Sequence, residues 1–292
     1  MTLLQSVFLG IIQGLTEFLP VSSSGHLAIV QNLFHVDTGD SVLFDILLHL
    51  GTLAVVFIVF RRDILMLIRA FFGMIGDMFA NIGISRANAR SKEQKPLRRI
   101  VKTNYRKFAV LVIVATIPTA IIGFAGKKLI SDASSTLLVP GIFLLVTGVL
   151  LLLSDRAKNC VKIPQDVTYR EGLIVGIAQG FATLPGLSRS GSTITAALMC
   201  GFDRMFAVKY SFILSIPAIL GAAVLEIKDV AWGSISAAQI GIYAAGVLCA
   251  GIVGYICIRF MLMIVRNRKM KYIAFYCFAI GGIAIAAHFV MH

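Results

Sequence analysis

Gly10-Ile11-Ile12-Gln13-Gly14-Leu15-Thr16-Glu17-Phe18-Leu19-Pro20-Val21-Ser22-Ser23-Ser24-Gly25-His26 decides the fold. It lies inside an apolar segment, residues 3–34, that the proline, the serines and Gly25 break in the middle. Each half is too short to cross a hydrocarbon core about 30 Å thick, which takes roughly 20 helical residues. Backbone polar groups in lipid must be satisfied internally, so the broken segment is expected to return to its own side as a re-entrant helical hairpin. Residues 172–201 repeat the pattern: Gly176-Ile177-Ala178-Gln179-Gly180 is followed by Pro185, Ser188, Ser190 and Gly191. Gln13 precedes Gly25 by 12 positions, as Gln179 precedes Gly191 by 12. Matching broken segments predict an internal repeat whose interface holds a binding site.

Outward from these two blocks the chain is apolar almost throughout. Of 292 residues 58% are hydrophobic and 14% charged, and the mean hydropathy is +0.89. Such a composition excludes a soluble domain and predicts an all-α polytopic membrane protein, a single integral domain over 1–292. Full spans are expected near 42–60, 108–125, 137–153, 207–224, 239–260 and 272–290. The first segment has no basic stretch before it and no small-residue cleavage site, so it is expected to stay in the protein. The five cysteines are scattered without metal-ligand spacing and are expected to be core residues.

The formal charge of +13 does not point to nucleic acid, because the cations lie in loops between apolar spans. With six spans and two returning hairpins, the loops 61–107, 154–171, 202–209 and 259–271 share one side and hold 23 of the 27 Lys and Arg residues. The positive-inside rule makes that side cytoplasmic and puts both termini outside. The hairpins then enter from opposite faces and meet near the midplane, an inverted-topology repeat. The apolar piece 64–80, flanked by Arg61, Arg62 and Arg69, is expected to be an amphipathic helix on the cytoplasmic side of the basic loop 61–107.

Arg189 stands inside the second broken segment, where a guanidinium costs about 2.5–3.5 kcal/mol on insertion scales. Its fork of donors matches phosphate oxygens, so an anionic ligand is the leading candidate to offset that cost. Ser22 and Ser188 follow prolines at the starts of half-helices, and two helix N-termini converging there would form an anion cradle. Ser190 and Thr193 offer further hydroxyls. Glu17, Ser23 and His26 supply a carboxylate, a nucleophilic hydroxyl and an imidazole within ten residues. Gln13 and Glu17, one helical turn apart, are candidates to orient a water or hold a divalent cation such as Mg2+ or Ca2+. Asp45 and His49, four apart in the first full span, are candidates to line the cavity. No organic cofactor is indicated.

The blocks from Gln13 to His26 and from Pro185 to Thr193 resemble the two signatures of the bacterial undecaprenyl-diphosphate phosphatases, the bacitracin-resistance family. The resemblance extends in length and topology over nearly the whole chain. It implies hydrolysis of undecaprenyl diphosphate at a site open to the periplasm of the bacterial inner membrane, which recycles the carrier lipid for peptidoglycan synthesis. It also implies acid–base roles for Glu17 and His26, a nucleophilic Ser23, and phosphate contacts from Ser188, Arg189 and Thr193. Many relatives have Glu where this chain has Gln13. A polyprenyl-phosphate transporter is the alternative, because inverted repeats with broken helices are also a transporter architecture. A homodimer is a candidate assembly.

Overall fold

A computed structural model describes residues 1–33, 41–90, 94–134, 136–230 and 236–291. Among these residues the chain forms α1 (Leu3–Phe18), α2 (Ser23–Leu33), α3 (Ser41–Val59), α4 (Arg61–Asn88), α5 (Asn104–Ala125) and α6 (Lys127–Ser134). The second half forms α7 (Leu138–Arg156), α8 (Tyr169–Phe181), α9 (Arg189–Met199), α10 (Arg204–Glu226), α11 (Ala237–Arg266) and α12 (Met270–Met291). Six of these, α3, α5, α7, α10, α11 and α12, are long and apolar enough to cross a membrane. They coincide with the six expected spans within a few residues at each end.

The two broken segments are pairs of short helices. α1 has 16 residues, α2 11, α8 13 and α9 11. At 1.5 Å per residue, the longest is about 24 Å, less than a hydrocarbon core requires. α1 begins with a capping box on Thr2 and α8 with one on Thr168, so hydroxyls satisfy the first free N–H groups of each pair. Pro20 and Pro185 lie in the two breaks, where a helix could not continue without losing a backbone hydrogen bond.

The first helix of each broken segment packs on the other half of the sequence. Gly10 and Gly14 let α1 touch α11: a Cβ on Gly10 would lie 2.2 Å from the Gly246 carbonyl oxygen, and one on Gly14 2.6 Å from that of Ala250. Gly176 and Gly180 do the same for α8 on α5, where the corresponding approaches are 2.2 Å to the Ala115 oxygen and 2.8 Å to Ile122. Small residues four apart permit such contact between helices in lipid. The two halves therefore exchange their first helices, and α7 and α12 close the bundle by packing together, with Gly141 set against Gly281 and Gly148 against Phe278.

α4 is not among the six apolar helices. It runs 28 residues and contains the expected amphipathic piece 64–80. One face latches residues 95–106. The Asn88 and Asn81 amides each bond both backbone groups of a residue in that segment, Lys95 at 2.8 and 2.9 Å and Arg98 at 2.8 and 2.7 Å. On the same face Asp77 takes Arg106 at 2.5 Å, Lys102 at 3.3 Å and Arg98 at 3.4 Å. The Arg106 hydrogen bond foremost, with Lys102 and Arg98 adding to it, holds the Asp77 carboxyl at about 2. Ile68, Phe72, Phe79 and Ile82 are exposed on the opposite face.

Candidate active site

The breaks in the two hairpins meet. The Gly186 backbone N–H donates to Ser22 Oγ at 3.1 Å, and a Cβ on Gly25 would lie 2.8 Å from Gly186 Cα. Gly186 has φ +91°, with the Pro140 carbonyl where a side chain would begin, so only glycine fits. α7 supports this tip through Thr147, whose hydroxyl donates to the Gly186 oxygen and accepts from the Ser188 N–H, both at 3.0 Å. Across the tip Ser22 is held at φ +68°, a conformation that costs a non-glycine residue energy.

The half-helices start where the serines predicted. Ser188 caps α9, its Oγ accepting from the Gly191 N–H at 3.0 Å. Ser22 Oγ accepts from Gly25 at 3.3 Å at the start of α2. The first residue of α2 is Ser23 and the first of α9 is Arg189, so the repeat places a hydroxyl and a guanidinium at equivalent positions facing each other.

Both reach Glu17. The Ser23 hydroxyl donates to Glu17 Oε2 at 2.6 Å, and Arg189 forms an ion pair with Oε1. The Gln13 amide donates to Oε2 at 3.1 Å. Glu17 is 6% exposed and Gln13 fully buried, so this carboxylate is held inside the protein with donors on both oxygens. A Ser–carboxylate hydrogen bond of this kind prepares an oxygen nucleophile with its base already in reach.

The other predicted residues take supporting places. The His26 Nδ1–H donates to the Ser22 carbonyl at 2.8 Å, since a carbonyl can only accept, and Nε2 faces the Tyr276 hydroxyl at 2.9 Å. The two rings stack with centroids 5.7 Å apart. Both nitrogens of His26 thus engage Ser22 and Tyr276, and Ser23 is bonded to Glu17 instead. Thr193 donates to the Arg189 carbonyl at 2.8 Å and pairs with Ser211 at 2.5 Å, buttressing the first turn of α9. Ser190 lies 3.4 Å from Ser188 within the same turn.

Two contacts carry no local signal in the sequence. Tyr276 comes from α12, 250 residues from the histidine it touches. His49 was legible as half of a pair with Asp45, but not as a neighbour of Glu17. Its Nε2 is 3.8 Å from Glu17 Oε2, and its Nδ1–H is fixed on the Asp45 carbonyl at 2.8 Å.

As arranged, Gln13 and Glu17 do not fit a divalent cation. Among the described residues no three His, Cys, Asp or Glu side chains gather at one place, and the Glu17 oxygens are already taken by a guanidinium, a hydroxyl and an amide. Hard cations need several free oxygens. Gln13 Oε1, buried and without a hydrogen-bond partner, is one acceptor open to a water or a substrate proton.

Comparison with known proteins agrees with the geometry. The profile of the family described as "Bacitracin resistance protein BacA" matches residues 6–283. A protein from Alkaliphilus metalliredigens named undecaprenyl-diphosphatase is 42% identical over 285 residues, 98% of each chain. Proteins of the same name from Methanosphaera stadtmanae and Methanobrevibacter smithii are 39% and 40% identical, covering 99% and 96% of each chain.

Proposed function

The chain belongs to the bacitracin resistance protein BacA family, and from that premise we propose that it removes the terminal phosphate of undecaprenyl diphosphate, returning undecaprenyl phosphate to peptidoglycan synthesis. The observation that carries the reading is the convergence of Ser23 and Arg189 on Glu17 where the two hairpins meet. The relatives bear the name of a diphosphatase, which favours hydrolysis over transport.

In the proposed reaction the terminal phosphoryl group binds Arg189, whose guanidinium is shared between the phosphate and Glu17. Ser23 Oγ attacks the phosphorus, Glu17 takes the hydroxyl proton, and the bond to the bridging oxygen breaks, releasing undecaprenyl phosphate. The N–H groups at the starts of α2 and α9, with Arg189, stabilise charge on the transferring group. Water then attacks the phosphoserine and Ser23 regains its proton. His26 holds Ser22 in its strained conformation and, once Nε2 leaves Tyr276, is free to shuttle protons in the second step. Ser22, Ser188, Ser190 and Thr193 shape the two helix starts. The Gln13–Glu17 pair, its carboxylate engaged by Arg189, Ser23 and the Gln13 amide, is assigned no divalent cation.

The reading places the protein in a bacterial inner membrane with both termini periplasmic and the hairpins re-entrant from opposite sides. The excess of Lys and Arg in one set of loops supports that orientation. Phosphate release from undecaprenyl diphosphate by the purified protein in detergent tests the activity. Binding without release would favour the transporter.

A further inference from the structure

The two broken segments are alike in motif but not in what lies beside them. In the first, the position six residues after Pro20 is His26, whose ring stacks on Tyr276 and fills the space between α2 and α12. In the second, the equivalent position, seven after Pro185 and thirteen after Gln179 as His26 is thirteen after Gln13, is Ser192. A hydroxymethyl group replaces an imidazole, and an apolar groove of about 260 Å³ opens between α7, α8 and α9.

Its floor is made by Leu187 and Ser192, 7% and 5% exposed, and its rim by Leu153, Phe181 and Met199, which are 38%, 54% and 61% exposed. The polar groups do not make it a polar site. Thr195 Oγ is spent on the Leu150 carbonyl at 3.2 Å, and Ser192 Oγ is buried without a hydrogen-bond partner.

The groove shares α9 with the candidate site. Leu187 directly precedes Ser188 and Arg189, and Ser192, Ala196 and Met199 follow Arg189 at intervals of three, seven and ten, one stripe along α9. A ligand whose phosphates rest on Arg189 has this stripe on the same face of α9, one turn away.

We propose that this groove binds the first isoprene units of the polyprenyl diphosphate, leading the chain from the phosphate site down the α8–α9 hairpin and out into lipid. The proposal rests on the phosphatase reading above. Pocket depth serves the units next to the phosphate; the remainder of a long chain lies in the bilayer, where its burial gives no advantage over lipid. Recognition by the groove therefore acts on the first few units and saturates with chain length.

The test fills the groove and reads the dependence on chain length. Ala196→Phe and Ala178→Leu are compared with the unaltered protein on the one-unit dimethylallyl diphosphate, the three-unit farnesyl diphosphate and undecaprenyl diphosphate, in the same detergent. Leu153→Trp, at the exposed rim, serves as a third variant that leaves the buried packing alone, and Ile142→Trp, on a lipid-facing part of α7 outside the groove, as the control. The expected result is a KM raised at least about tenfold for the three-unit and longer substrates, because the added side chain clashes with the first isoprene units. The one-unit substrate and the control should change less than about twofold. Equal effects on all three substrates, or none on any, would overturn the groove assignment while leaving the phosphatase reading in place. Competition by an ordinary phospholipid acyl chain as effective as by farnesyl phosphate would overturn it too. No phosphate release from any substrate by the unaltered protein would instead remove the phosphatase reading, and the occupant of the groove with it.

Discussion

Ser23 and Arg189 stand ten residues after Gln13 and Gln179, the first residues of two equivalent helices, and their side chains close on the same carboxylate of Glu17. An internal repeat has been turned into an asymmetric site by three substitutions. Where one hairpin has Glu17, Ser23 and His26, the other has Thr183, Arg189 and Ser192. In the proposed reaction one copy supplies base and nucleophile, and the other supplies the cation that receives phosphate.

That division makes Arg189→Lys informative. Lysine keeps the charge but loses the planar fork, so it cannot hold Glu17 and two phosphate oxygens together. Turnover should fall at least about tenfold, in line with hydrogen bonds to charged groups contributing about 1.5–3 kcal/mol. Steady-state phosphate release checks it, and near-normal kcat/KM would assign Arg189 to structure alone.

Close packing of the exchanged helices predicts opposite effects from two identical changes. Gly176→Ala places a methyl 2.2 Å from the Ala115 carbonyl oxygen, backbone that cannot move without separating α8 from α5, and should destabilise by about 1–3 kcal/mol. At Gly76 of α4 a Cβ meets nothing within 4 Å. Gly76→Ala should be neutral or stabilising by up to about 1 kcal/mol through the unfolded chain and helix propensity. Thermal unfolding in detergent distinguishes the two, and equal midpoints for both variants would contradict the packing account.

Much of this architecture was legible in the sequence because its signals are local. Apolar stretches near 20 residues gave the six spans, and Pro20 and Pro185 with their serines gave the two breaks between short helices. Gly10-x-x-x-Gly14 announces close contact with some helix, but nothing local says that the partner is α11, more than 230 residues away. Tyr276 was hidden for the same reason, and so was the nearness of His49, a cavity candidate, to Glu17 in particular. Their approach to His26 and Glu17 depends on how α12 and α3 rotate in the bundle. The fit of Ser23 to Glu17 rather than to His26 depends on the backbone turn at Ser22, whose positive φ a serine does not advertise.

On the α4 side, pH should loosen the latch. Asp77 is held at about 2 from an ordinary value of 3.8. A depressed carboxylate stabilises the docked segment above its unfolded value and loses that contribution as pH falls from 3.8 through about 2. Limited proteolysis within 95–102 should therefore be slow at neutral pH and accelerate below pH 3.8, while Asp77→Asn should show rapid cleavage at neutral pH. Cleavage independent of pH and of this substitution would mean that the Asn81 and Asn88 bonds hold the segment alone.

The covalent route through Ser23 makes the sharpest demand. Ser23→Ala removes the nucleophile but leaves Arg189 and both helix starts, so it should abolish turnover while diphosphate binding stays nearly intact. Rapid quenching of the unaltered protein during turnover, followed by mass spectrometry of its peptides, should find phosphate on Ser23, at a level that rises before the steady state. Turnover persisting at a substantial rate in Ser23→Ala, with no phosphoserine trapped in the unaltered protein, would contradict the account and leave direct attack by water with Glu17 as its base.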